Sequence, residues 1–86
     1  MAMNRVRDAL LLSHRRLDDG RLVTVRRAVP LDAPALSLLD ADVDRADVVA
    51  VDEHGDIVGH AGVASGVGVV DGWSESGLAA VLARET

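Results

Sequence analysis

Between Val48 and Val70 the chain reads as three strands and little else. Val48–Val51 is a short apolar run, Asp52-Glu53-His54-Gly55 is an acidic turn with a glycine at its tightest point, and Ile57–Val63 returns. Two such runs joined by a short glycine turn predict a β-hairpin. Ala64-Ser65-Gly66 permits a second reversal, into Val67–Val70. Three consecutive strands with turns this short favour an antiparallel sheet, and one face of such a sheet needs helices over it.

The flanking segments offer them. Val6, Ala9, Leu10 and Leu17 recur at helical spacing with arginines between, which predicts a helix over residues 4–18. Asp18-Asp19-Gly20 would end it, with Gly20 as a left-handed cap. Residues 22–28 read as a strand. Asp32 is placed to cap a helix over 33–41, and Pro34 suits its first turn because no amide donor is needed there. Asp40, Asp42, Asp44 and Asp47 mark a polar connection. Leu78, Val81 and Leu82 share one face of a final helix over 77–84. The expectation is a single domain over residues 1–86, with an N-terminal helix within 1–20 and a layered α+β unit over 21–86. Its sheet would be mixed but mostly antiparallel, covered by helices.

Composition limits what can fill this frame. The chain has 86 residues, one Trp and no Phe or Tyr. Its core must come from Val, Leu, Ala and a single Ile, each contributing little buried area. The net charge of −5 argues against a nucleic-acid surface, although the arginines crowd the first third. With no cysteine there is no disulfide, thiolate metal site or cysteine nucleophile. No apolar run reaches the roughly 18 residues of a membrane span, and residues 1–12 lack the form of a signal peptide. A soluble, cytoplasmic protein with no membrane or nucleic-acid partner is expected.

Few residues are suited to chemistry. The four aspartates of 40–47 lack the glycine and terminal Glu of a calcium loop, and His14, His54 and His60 do not pair as metal ligands, so no metal is expected. His60 is the titratable group on the Ile57–Val63 strand, read either as a half-exposed strand histidine with no role or as the one candidate for a catalytic base. Trp73 reads as a packing residue. The stretch "GWSESGLA" (Gly72–Ala79) follows a strand and opens a helix. Two readings stay open for it. It is a capped helix start, with Ser74 or Ser76 accepting from a free amide. Or it is an anion-binding loop, with the helix amides turned to a phosphate.

Four stretches resemble the GNAT superfamily of N-acetyltransferases, in wording nearest its actinobacterial-type protein acetyltransferases. "LDDGRLVTVRRAVPLDAPAL" (Leu17–Leu36) is similar to that family's first strand and helix, and "VVAVDEHGDIVGHAGV" (Val48–Val63) to its second and third strands. "VGVVDGW" (Val67–Trp73) and "SESGLAAVL" (Ser74–Leu82) are similar to its fourth strand, cofactor loop and following helix. The resemblance implies a partial GNAT fold, shortened at its C-terminus, and acyl transfer from acetyl-coenzyme A to an amine. Val69 and Val70 would meet the pantetheine arm. Ser74, Glu75, Ser76, Gly77, Leu78 and Ala79 would form the pyrophosphate loop. Gly77 and Ala79 match the loop pattern, whereas Ser74, Glu75 and Ser76 depart from it. Glu75 opposes a diphosphate by its charge. No carboxylate lies between Asp56 and Asp71, and there is no tyrosine to act as an acid. The alternative is a non-catalytic relative of the family that acts in self-association or partner binding. Either way the last strand would expose an edge, which implies a homodimer or a partner that supplies a strand.

Overall fold

The computed structural model describes residues 11–42 and 44–85. Five strands form one sheet, β1 (Leu11–Arg16), β2 (Leu22–Arg27), β3 (Val48–Val51), β4 (Ile57–Gly62) and β5 (Gly66–Val69), and their order across the sheet is their order in the chain. All four pairings are antiparallel, so the expected mixed character is absent among the described residues. Two helices complete the α+β domain, α1 (Ala33–Leu38), preceded by a 3-10 turn at Pro30–Asp32, and α2 (Leu78–Glu85).

The first element departs from expectation. Residues 11–16 are a strand, not part of a helix, and residues 4–10 of the expected helix lie outside the described residues. The helical spacing rested on Val6, Ala9 and Leu10, whereas Ser13-His14-Arg15-Arg16 carries no apolar period of its own. Pairing with β2 therefore decides the conformation of residues 11–16, as tertiary context commonly overrides weak local preference. Gly20 does adopt the left-handed conformation, with φ 88°, but in a hairpin turn. Leu17 N–H donates to the Arg21 carbonyl at 2.7 Å and Gly20 N–H to the Leu17 carbonyl at 2.9 Å, closing that turn.

The sheet has a helix on each face. Val23, Val25, Val48, Ala50 and Ala61 face α2 and pack with its Leu78 and Leu82. Gly59 lies under the same two leucines, and a Cβ there would stand 2.8 Å from Leu82 Cδ1. Val49 turns to the opposite face and packs with Leu36 of α1 and with Ala46. Asp32 holds the entry to α1, but not as the expected cap. Its carboxylate takes both Arg26 guanidinium nitrogens at 2.8 Å and the Val29 N–H at 2.9 Å. The Arg26 hydrogen bonds hold the Asp32 carboxyl below the usual carboxylate range. In return, Asp32 raises the Arg26 pKa above its ordinary value.

Candidate functional site

Among the described residues β5 is an edge strand, and three of the candidate site residues lie on or beside it. Val70 N–H donates to the Val58 carbonyl at 2.9 Å. Main-chain groups alternate sides along a strand, so Gly68 and Gly66 also turn toward β4, while Val67 and Val69 turn theirs outward. A cleft of about 400 Å³ opens over this edge on the α1 side. The end of α1 (Leu38, Leu39, Asp40), His60, and the run from Gly68 to Asp71 line it. Three of the expected site residues, His60, Val69 and Val70, thus lie on one cleft.

His60 pairs with Val49 on one side and with Gly68 on the other, which puts its ring on the α1 face. The ring lies against Gly68, leaving no room for a side chain there. His60 is 8% exposed, and its Nδ1 is buried without a hydrogen-bond partner. Burial pushes its pKa below the ordinary value, so the imidazole is neutral near pH 7. Asp40 and Asp71 stand exposed at the rim, and among the described residues no cation lines the cleft. Asp40 is the one described non-glycine residue with positive φ, 54°.

The expected pyrophosphate loop lies elsewhere, since none of residues 74–79 lines this cleft. Ser74, Glu75 and Ala79 are exposed, while Ser76 and Leu78 are buried. Ser76 Oγ donates to the Trp73 carbonyl at 2.6 Å and accepts from the Leu78 N–H at 3.2 Å. It caps α2 and occupies one of the amides that an anion would need. Asp18 closes the same spot. Its N–H donates to the Ser76 carbonyl at 3.0 Å. Gly77 has φ 86°, and a Cβ there would stand 2.7 Å from Asp18 Oδ2. A carboxylate of the chain therefore lies at the helix N-terminus that a diphosphate would approach, with Glu75 beside it. These residues do not fit a diphosphate as they stand. A partial fit remains along β5, where outward main-chain groups suit the amides of a pantetheine arm.

Asp18 was missed at the sequence level, because "LDDG" reads fully as turn chemistry and nothing local points from it to Gly77. A second missed feature is the Arg21–Trp73 stack. The guanidinium carbon lies 3.7 Å from the indole centroid. Arg21 donates to Asp19 Oδ2 and to the Gly72 carbonyl, each at 2.7 Å. It thereby pins the loop after β5 to the first hairpin. Trp73 packs on the main core, in keeping with a packing role. His14, expected on a helix, lies on β1 with Nδ1 3.0 Å from Thr24 Oγ1, and His54 is exposed in its turn. Among the described residues no group of three His, Cys, Asp or Glu is placed to hold a metal, and no helix is long and apolar enough to cross a membrane. Compared with known proteins, the chain matches no family model, no curated protein and no solved structure.

Proposed function

We propose that the chain is a GNAT-type N-acetyltransferase-like domain that works by binding rather than by turnover, with the free edge of β5 as its working surface. The observation that carries this reading is the contrast between the two candidate surfaces. At the start of α2 the Leu78 amide is engaged by Ser76 and the Asp18 carboxylate lies against Gly77, whereas the outward groups of Val67 and Val69 have no strand beside them among the described residues. An unpaired strand edge is a template for another strand, and addition of a strand is a common mode of recognition.

A second reading is favoured by the cleft that gathers His60, Val69 and Val70. In it the domain binds acetyl-coenzyme A, as the family resemblance implies. Val69 would take the pantetheine amides by main chain, and His60, neutral through burial, would be the group able to accept a proton from an amine. Melting temperature separates the two. A ligand at a hundred times its Kd adds about 2.7 kcal/mol to folded stability, which moves the melting point of a domain this small by roughly 10–20 °C. We expect no shift with millimolar acetyl-coenzyme A and no heat on calorimetric titration with coenzyme A. A clear shift in the parent chain would replace the first reading with the second. Asp18→Asn with Glu75→Gln removes both opposing charges. Binding gained in that double variant would identify the α2 start as a blocked diphosphate site.

A further inference from the structure

We propose that β5 pairs with β5 of a second copy of the chain, antiparallel, in the register centred on Gly68. This rests on the reading of the β5 edge as the working surface and names its occupant. The outward groups belong to Val67 and Val69, two residues apart. A two-fold axis at Gly68 sets Val67 opposite Val69 of the second copy, and the reverse. Each of these pairs exchanges N–H···O bonds in both directions. Gly68 meets its own counterpart where the strands approach most closely, and it brings no side chain. The side chains of Val67 and Val69, on the α2 face, then form a four-valine cluster with their counterparts. Val67 is 43% exposed in the single chain, so this cluster removes apolar surface from water.

The charges select this register over its neighbours. Outward residues must face outward residues, so the other choices centre on Val67 or Val69. Centring on Val69 sets Asp71 against Val67, and centring on Val67 carries Asp71 past the start of β5 into the turn at 63–65. Centring on Gly68 sets Asp71 opposite Ser65, a polar residue. Beside Ser65 is Ala64, whose carbonyl accepts from Arg45 Nη2 at 3.0 Å. Neither Arg45 nor Asp71 has an ion-pair partner among the described residues. The two-fold brings each Asp71 toward the Arg45 of the other copy, so the interface carries two pairs of opposite charge. No like charges fall opposite one another.

Sedimentation equilibrium of the full chain tests this. The shared edge is short, so the dimer should be weak, forming at roughly ten to a few hundred micromolar chain. Asp71→Arg and Arg45→Asp each replace two attractions by two repulsions at exposed positions, and each should weaken the dimer about tenfold. The double variant, with charges exchanged, should restore it. A chain that is monomeric at about 1 mM, beyond the range of weak specific interfaces, overturns the proposal. So does a dimer indifferent to either reversal, or one the double variant does not rescue. Titration with a peptide of residues 65–71 separates this from the reading beneath it. Binding of the peptide by a monomeric chain would leave strand acceptance standing and refute self-pairing. No binding together with no dimer would refute both.

Discussion

Burial penalises the charged form of an imidazole, and His60 carries that penalty in the folded chain alone. Its folded pKa lies below the ordinary 6.5, so between the two values the unfolded chain binds more protons. Stability therefore rises with pH through this window. The contribution is present above about 6.5 and is lost as pH falls through the folded pKa. Urea midpoints measured at pH 7.5 and pH 5 should fall toward the lower value, and His60→Gln should flatten that slope. Asp32 acts at a different pH. Its folded pKa is lowered from 3.8, so its contribution is present above that value and lost further into acid. A slope that survives unchanged in His60→Gln would mean that another group carries it. The unpartnered Nδ1 costs about 1–3 kcal/mol in lost solvation. His60 therefore carries a stability cost, and Gly68 is the residue that makes space for its ring.

At the scale of elements, the junction of β2 and α1 depends on one carboxylate. Asp32→Ala would leave the Arg26 guanidinium partly buried without its partner and the Val29 N–H without its acceptor. The expected loss is about 2–3 kcal/mol, near the lower end for breaking a buried pair, because Arg26 keeps some access to solvent. Replacing both residues by apolar ones should cost less than the single change. Chemical denaturation of the two single variants and the double checks this, and a double loss equal to the sum of the two single losses would show that the pair is not coupled. Which elements were legible in sequence follows from the range of the forces involved. The β3–β4 hairpin was legible because Asp52–Gly55 encodes its own turn, with Asp52 Oδ1 accepting from His54 and Asp56 N–H at 2.9 Å. β5, α1 and α2 were legible from apolar spacing and from breakers such as Gly66, Pro34 and Gly77. β1 was not, because its conformation comes from β2 across a turn. Asp32 was assigned to the right place with the wrong partner, since its contact with Arg26 depends on how the chain folds back. At the candidate site, His60 was named as the titratable group on its strand and Val69 and Val70 from resemblance, and the three lie together on the cleft. The approach of Asp18 to Gly77 joins distant parts of the chain and leaves no local trace.

For the whole molecule, turnover is the sharpest question. General acid and base groups contribute ~10²–10⁴-fold each to such reactions. No tyrosine is available, and no carboxylate lies between Asp56 and Asp71. Acetyl transfer to lysine, peptide amines and arylamines should stay at background in a thiol-release assay, with His60→Ala unchanged from the parent. Robust turnover lost in His60→Ala would make this a minimal enzyme. One property of the sheet extends to how the chain acquires its structure. Because every strand pairs with its neighbour in sequence, the sheet can be assembled in the order in which the ribosome releases it. Most closures span short loops, and only the α1 crossover between β2 and β3 is long. Short closures of this kind cost little chain entropy, so each hairpin can form before the next strand is added. The weak interval follows completion of the sheet. α2 covers Val23, Val25, Val48 and Ala50, yet it emerges after all five strands, so a nascent chain with a complete sheet still shows that valine face to solvent or to chaperones.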